Sequence, residues 1–279
     1  MSTSLVTTPA VVLQTYRYSE TSKVLRLATR DLGLQSAIAK GALRPKSRFG
    51  AGLELLSEGM AQLYFRETRE LHTLGAFDLL TLRRGLAGDV GRFAGATALS
   101  EVMLKMTPPA PLPLAYDTLT AGLDALESAP PEGADAVALR ALWRLLAVLG
   151  FEPSLQVCAH DGAAVEAAGD SPVVFSVADG GVLCPRCSPA RLAPPAPPAP
   201  PPPPVTRLPP TAYRDLMALN DPRMALPVLD PPHAAAHRRL VARFIRYHLG
   251  ETAPLSALDF WEHRAWVPPT PSPIPTAAS

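Results

Sequence analysis

The sequence of 279 residues predicts an α+β protein, in which a small five-stranded barrel precedes a helical domain with a cysteine-bearing insertion. Three observations support this class. Residues 1–80 contain five short runs of alternating apolar and polar residues, which is the period of strands. Residues 81–150 and 211–265 carry apolar residues at spacings of three and four, which is the period of helices. Residues 151–190 hold all three cysteines.

The five predicted strands are separated by turn-forming residues, and their sequences are VVLQTYRY, KVLRLAT, LQSAIAK, EGMAQLYFR and LHTLGAFDLL. Five strands in about 75 residues suit a small closed barrel, and an OB-like barrel is the commonest solution of that size. The strand pattern alone leaves open a small SH3-like barrel or a meander without a ligand.

The predicted helices lie on both sides of the insertion. Three precede it, GRFAGATALSEVMLKM, LAYDTLTAGLDALES and GADAVALRALWRLLAVLG, and prolines separate them. Two follow it, TAYRDLMALN and PHAAAHRRLVARFIRYHLG, and a short ALDFWEHRAW segment comes next.

Proline-rich stretches set the remaining boundaries. Residues 191–210 contain a polyproline run, which predicts an extended spacer, although a ligand for an aromatic groove is the alternative. Residues 266–279 predict a disordered tail. The predicted organisation is therefore a barrel at 1–80, helices at 81–150, a zinc-ribbon-like segment at 151–190, the linker, helices at 211–265 and the tail.

Positive charge is concentrated near the amino end, although the whole chain has a net charge of only +1. Between Gln14 and Phe49 eight cations face two carboxylates, a local charge of +6. Unpaired cations on a surface are what nucleic-acid phosphates require. The predicted DNA-binding residues are Arg17, Lys23, Arg26, Arg30, Lys40, Arg44, Lys46 and Arg48.

The loop AKGALRPKSRFGAGLELL carries four of these cations, and its glycines and proline exclude a long helix. Arg44, Lys46 and Arg48 alternate, which predicts one common side if the loop is extended. Three aromatic residues could stack on bases or pack in the barrel core, and both alternatives stay open: Tyr16, Tyr18 and Phe49.

The cysteines have the spacing of a metal site. Cys184 and Cys187 form an intact CxxC turn, whereas Cys158 is followed by Asp161 where a second thiol would stand. We expect either a structural zinc ion held by these four residues, with His160 as an alternative to Asp161, or a ribbon that has lost its metal.

Several classes of protein are excluded by what the sequence lacks. It contains no GxxxxGK[ST], GxGxxG, GxSxG or HExxH motif, so we expect no enzyme and no bound nucleotide. His233 and His237 have metal-ligand spacing, but no third ligand accompanies them, which favours a polar helix face. A poor signal peptide, no apolar stretch of about 18 residues and few cysteines predict a cytoplasmic protein without membrane contact.

Parts of the chain resemble a known family. The strand VVLQTYRYSETSKVLRLAT, the Thr29-x3-Gly33 turn and AKGALRPKSRFGAGLELL are similar to the amino-terminal region of the bacterial recombination mediator family RecO. The order of helices, cysteine pairs and closing helices extends the resemblance over most of residues 9–265. The sequence departs from the family pattern at Asp161 and at the polyproline insertion.

The resemblance implies an OB-fold domain on a helical domain with a zinc-ribbon insertion. It implies binding to single- and double-stranded DNA, annealing of complementary strands without nucleotide, contacts with RecR and single-stranded DNA-binding protein, indirect help in RecA loading, and association with the nucleoid. A second hypothesis assigns the acidic tail of single-stranded DNA-binding protein to Arg238, Arg239, Arg243 and Arg246. A helical adaptor with decayed DNA binding and an RNA-binding OB-fold protein remain the alternatives.

Overall fold

The chain is described by a computed structural model, in which residues 4–50, 52–108, 110–165, 171–192, 205–250, 254–264 and 266 are described. The centre of the predicted polyproline spacer and all of the predicted tail except Trp266 lie outside these residues. No helix in the described part of the chain has the length and apolar character needed to cross a bilayer.

The five predicted strands are confirmed, and they form a barrel at the amino end. They are β1 Ser4–Arg17, β2 Lys23–Thr29, β3 Gly33–Ala39, β4 Glu58–Phe65 and β5 Leu71–Thr81. Their pairing runs in a ring in the order β1-β2-β3-β5-β4, which is the OB-type order. All pairs are antiparallel except β3 with β5, which joins in parallel over three residue pairs. The ring therefore closes over a short seam.

Alternation along the strands separates two apolar surfaces of the barrel. One set of side chains fills the barrel interior, for example Val12, Leu25 and Leu63, and Phe49 joins it from the loop after β3. The opposite face is not entirely polar, because residues such as Leu13 pack against the helices. One side of the barrel is thus covered by the helices, and only the rest of its outer surface is accessible to a ligand.

The helices confirm the change of period after the barrel. They are α1 Arg84–Ala87, α2 Val90–Met106, α3 Pro113–Ser128, α4 Ala134–Val148, α5 Ser188–Leu192, α6 Pro210–Asn220, α7 Pro231–Leu249 and α8 Ser256–Glu262. Asp89 and Asp230 cap α2 and α7 by accepting a backbone N–H from the first turn. At Gly95 and Gly122 a Cβ atom would lie within 3.0 Å of a neighbouring side chain, so glycine permits the close approach of α2, α3 and α4.

The insertion contains a three-stranded sheet. The predicted hairpin is confirmed as β6 Val173–Ser176 and β7 Gly181–Leu183. A third strand, β8 Val205–Leu208, pairs antiparallel with the other edge of β6. β8 occupies residues that the sequence assigned to the linker at 191–210, because pairing of the β6 edge satisfies backbone groups that sequence composition does not reveal.

A buried polar cluster joins the barrel to the helices. The Arg83 side chain is 1% exposed and contacts Glu58 at 2.5 Å and Asp124 at 2.7 Å. It also donates to the Leu56 carbonyl, and the Tyr116 hydroxyl donates to Glu58. Burial and the adjacent carboxylate of Glu58 raise the pKa of Tyr116, so it remains a neutral donor.

Candidate nucleic-acid interface and metal site

One end of the barrel brings together cations from β1, β2 and the position just after β3. Arg17 pairs directly with Lys23 across the β1–β2 ladder, and Lys23 pairs with Ala39, which precedes Lys40. Neighbouring strands lie about 4.8 Å apart, so these positions are adjacent on the surface. Like charges directly opposite each other destabilise a sheet, and this arrangement therefore favours a bound anion.

The loop between β3 and β4 presents the remaining cations beside that barrel end. It folds back through successive turns, with positive φ at Gly41 and Gly50. Its Leu43 N–H donates to the Thr21 carbonyl in the β1–β2 turn at 2.9 Å. The buried side chains of Phe49 and Leu53 anchor it in the barrel core. The loop is therefore a compact segment that packs beside the β1–β2 turn at this end of the barrel.

One sequence expectation for this loop is wrong, and the alternative left open for Phe49 is decided. Arg44, Lys46 and Arg48 are exposed, but turns present them, so the alternation expected of an extended loop does not apply. Phe49 does not stack on bases, because it is buried and the Arg48 guanidinium lies 5.0 Å from its ring centroid. The core-packing alternative is instead excluded for Tyr16 and Tyr18, which are 52% and 65% exposed.

We call six of the predicted cations the basic end. Among the described residues, none of the six forms an ion pair. Their charges are therefore available to a ligand. The basic end consists of Arg17, Lys23, Lys40, Arg44, Lys46 and Arg48.

The other two predicted cations have different surroundings. Arg26 faces outward on β2, and its Nη1 donates to the Ser36 hydroxyl at 3.2 Å. Arg30 follows the far end of β2 and donates through Nε and Nη2 to the Asp117 carboxylate of α3 at 2.9 and 3.1 Å. This pair raises the pKa of Arg30 and lowers that of Asp117. Arg30 therefore lies away from the basic end and already has an anionic partner.

The two ligand turns, one with Cys158 and Asp161 and one with Cys184 and Cys187, converge on one point. One ligand atom from each of four residues lies within 4.8 Å of the others, and the four are Cys158, Asp161, Cys184 and Cys187. Tight backbone turns create this, since Gly162 N–H donates to the Cys158 carbonyl at 2.9 Å and Cys187 N–H to the Cys184 carbonyl at 3.1 Å. Three thiols and a carboxylate are a donor set that could hold a metal ion.

Asp161, not His160, completes this set. The Asp161 carboxylate lies 3.6 Å from the Cys184 sulfur. The N–H of Ala163 and the neighbouring thiols hold the pKa of Asp161 well below its usual range, so this ligand is ionised. His160 is half exposed and directs Nδ1 to within 3.6 Å of Asp179, outside the cluster.

Two family models match successive parts of this chain. "Recombination protein O N terminal" matches residues 1–83, and "Recombination protein O C terminal" matches residues 87–257. The chain belongs to the RecO family. The predicted resemblance is therefore confirmed, and the two matched regions meet near α1.

Curated relatives agree with this assignment. The DNA repair protein RecO of Anaeromyxobacter sp. (strain K) is 33% identical over 248 residues, which cover 86% of this chain and 90% of that protein. The DNA repair protein RecO of Rubrobacter xylanophilus is 31% identical over 247 residues, covering 88% and 92%. That of Symbiobacterium thermophilum is 33% identical over 187 residues, covering 66% and 72%.

The predicted partner-binding arginines of this RecO family member are mostly engaged within the fold. Arg238 is buried and pairs with Asp135 at 2.7 Å, so it cannot be a surface contact. Arg243 donates to Thr206 at 3.1 Å, and Arg246 pairs with Asp259 and Glu262. These arginines are engaged within the fold because α7 packs against α4, α8 and neighbouring segments on several sides. Arg239 is the one of the four that is exposed without an ion pair among the described residues.

The histidines of α7 also differ from expectation. His233 lies beside Asp230 at 2.8 Å, but His237 is buried instead of lying on a polar face. Burial lowers the pKa of His237 to about 4, and its Nε2 lies 4.0 Å from Asp215. In the described part of the chain, the cysteine cluster is the one group of three or more potential ligands that meets at a point.

Sequence reasoning missed the residues whose role depends on packing between segments. Arg83, Glu58 and Tyr116 form the polar joint, yet they are far apart in the chain and belong to no recognisable motif. Gln14, Thr97 and Glu101 line a groove between β1 and α2, and they too meet only through the docking of helix on barrel. A short-range signal for either set is absent from the sequence.

Proposed function

We propose that this RecO family protein is a DNA-binding recombination mediator of recombinational repair. In this proposal it anneals complementary single strands without nucleotide, and with RecR it helps RecA to load onto DNA coated with single-stranded DNA-binding protein. The observation that supports the proposal is the basic end, where six cations from β1, β2 and the β3–β4 loop, five of them exposed, lack ion-pair partners in the described part of the chain.

The basic end suits phosphate binding without sequence recognition. Cations that replace condensed counterions on DNA give affinity that falls steeply with salt. The loop cations of the basic end project from a loop that two buried side chains hold in place, so little conformational entropy is lost on binding. Exposed Tyr16 and Tyr18 add surfaces on which single-stranded bases can stack.

Annealing requires no bond chemistry from the protein. Two complementary strands repel each other through their phosphates, and a shared cationic surface reduces that repulsion while leaving base edges free to pair. Arg30 is excluded from this surface by its pair with Asp117, whereas Arg26 retains N–H groups that face outward. The proposed interface is thus the basic end together with Arg26.

The test is annealing of two complementary oligonucleotides, naked and coated with the cognate single-stranded DNA-binding protein, with no nucleotide present. The loop variant replaces Lys40, Arg44, Lys46 and Arg48 by Ala. The matched control removes the same charge from four exposed cations elsewhere: Arg84, Lys105, Arg207 and Arg214. Acceleration by the wild type and the control but not by the loop variant supports the proposal.

Three other outcomes would count against this proposal. No acceleration by the folded wild-type protein would favour the helical adaptor with decayed DNA binding. Preference for RNA over DNA strands of the same sequence would favour an RNA-binding OB-fold protein. Equal loss in the loop variant and the control would show a general effect of net charge and would argue against a localised interface.

We also propose that the cysteine cluster holds a structural zinc ion. Four donors match the tetrahedral preference of zinc, and a carboxylate is an acceptable but harder ligand than thiolate. The ion would fix the two ligand turns, and no catalytic step is assigned to it.

Of the arginines proposed to contact the acidic tail of single-stranded DNA-binding protein, Arg239 alone retains the required exposure, so tail-peptide binding to an Arg239→Ala variant tests that contact.

A further inference from the structure

A groove of about 300 Å³ lies where the barrel meets the helices, directly beside the proposed DNA surface. Its floor is apolar, formed by residues that include Leu13, Leu55 and Leu104. Its walls carry polar groups from Gln14 of β1 and Glu101 of α2, and half-exposed Tyr16 also lines it. An apolar floor with a few polar groups and this volume are features of a site for a small ligand.

A β-bulge in β1 lies at the groove. The pairing of β1 with β2 shifts between Val12 and Gln14, which leaves Leu13 without a partner on β2. Val12 lies in the barrel core and Leu13 in the helical core. After the bulge, Gln14 pairs with Arg26 and Tyr16 pairs with Val24. Paired residues share a face of the sheet, so Arg26 lies one strand, about 4.8 Å, from the groove-lining Gln14.

We infer that this groove accepts one unstacked base of single-stranded DNA, with Tyr16 as its stacking platform and Arg26 holding the adjacent phosphate. The inference rests on the proposed DNA-binding function and assigns a base-binding site within it. An aromatic face beside a cation is the usual combination for sequence-tolerant contacts to single strands. A base within a duplex is stacked and paired, so it cannot enter unless it is extruded.

Glu101 should give the groove a preference for bases that carry an exocyclic amino group. Its Oε2 accepts the Leu258 N–H at 2.9 Å, which orients the carboxylate, and its second oxygen has no hydrogen-bond partner among the described residues. A carboxylate accepts hydrogen bonds from an exocyclic amino group, which cytosine and adenine carry and thymine lacks. Oligo-dC should therefore bind more tightly than oligo-dT, and the difference should shrink in Glu101→Gln.

The test compares single-stranded and duplex 15-mers by fluorescence anisotropy, with dC, dT and mixed sequences. Two variants address the groove: Tyr16→Ala removes the platform, and Thr97→Phe fills the space from α2. Each should weaken single-strand binding about tenfold, the effect of losing one stacked base, and leave duplex binding within twofold. Tyr64→Ala is the control, because Tyr64 is 48% exposed on the barrel but does not line the groove.

The outcomes separate this inference from the function on which it rests. If the loop variant loses DNA binding while Tyr16→Ala binds single strands like the wild type, the phosphate-binding surface stands and the base site is overturned. If the loop variant binds DNA normally, the proposed function itself fails. Equal losses for single strands and duplex in Tyr16→Ala would also contradict a base site, and Tyr16 is exposed enough that its replacement should not unfold the protein.

Discussion

Arg30 after β2 and Asp117 on α3 form a bidentate ion pair, with N–O distances of 2.9 and 3.1 Å. The pair joins the barrel to the helical domain. It also explains why a cation that belongs by sequence to the basic segment need not belong to the DNA surface. Both side chains are almost half exposed, so solvent and salt weaken their attraction.

The first prediction concerns this pair. Arg30→Ala should change DNA affinity by less than about twofold, because its charge is already balanced by Asp117, whereas Arg44→Ala should weaken binding several-fold. Anisotropy titrations of both variants at the same salt concentration provide the comparison. A loss for Arg30→Ala as large as that for Arg44→Ala would show that the pair opens to admit phosphate.

The second prediction concerns the salt dependence of DNA binding. Each lost phosphate contact should lower the slope of log K against log salt by about 0.9 on duplex and about 0.7 on single strands. The loop variant at Lys40, Arg44, Lys46 and Arg48 should therefore show a flatter slope, and its affinity should fall equally for unrelated sequences. The four-cation control should keep the wild-type slope. A loss confined to particular sequences would instead indicate base recognition by these residues.

The third prediction concerns the buried joint. Arg83→Ala leaves the Glu58 carboxylate in a largely buried place without its cation, which should lower the free energy of unfolding by about 3–5 kcal/mol. Arg84→Ala, next to it but exposed, should change it by less than about 0.5 kcal/mol. Urea unfolding monitored by circular dichroism measures both. Equal stability of the two variants would mean that the joint contributes little.

The fourth prediction concerns acid sensitivity. The pKa of His237 is about 4 in the folded protein, below the value near 6.5 expected when unfolded. Between these values the unfolded chain binds a proton that the folded chain does not, so stability falls as pH drops from 6.5 towards 4. The effect is on the order of 3 kcal/mol, and His237→Gln should remove that part of the pH dependence. His263→Gln, at an exposed position, should keep it.

The fifth prediction concerns the metal. Purified protein should contain about one zinc ion per chain by elemental analysis. Asp161→Cys should slow zinc transfer to a chelator, because thiolate binds zinc more tightly than carboxylate, and Cys184→Ser should abolish zinc retention. Protein that is free of zinc after metal-replete expression, yet folded, would support the alternative of a ribbon that has lost its metal.

Much of the fold could be predicted because local pattern determines it. Alternation located all five strands, and the three-four spacing located the long helices. The spacing of Cys158, Cys184 and Cys187, with Asp161 in the missing place, located the metal-binding candidates, because tight turns bring such ligands together regardless of distant packing.

The error at Arg238 and the question left open at Phe49 share one physical cause, which is that charge and aromaticity do not reveal what packs beside a residue. Arg238 resembles a surface cation by type, but α7 lies among other helices and buries it against Asp135. Phe49 was a candidate for base stacking, but it anchors its loop in the barrel core. Both outcomes depend on contacts between residues far apart in sequence, and no short-range pattern encodes them.

β8 follows the proline-rich stretch and pairs antiparallel with β6, which precedes that stretch. α5 ends at Leu192 and β8 begins at Val205, and both belong to the same small module. β7 precedes residues 193–204 and β8 follows them, and because both strands pair with β6, the two flanks belong to one sheet instead of two independent bodies. Because lengthening a connection between two fixed ends costs little extra entropy, residues 193–204 are a suitable place to insert an affinity tag or fluorophore without disturbing either the barrel or the cysteine cluster.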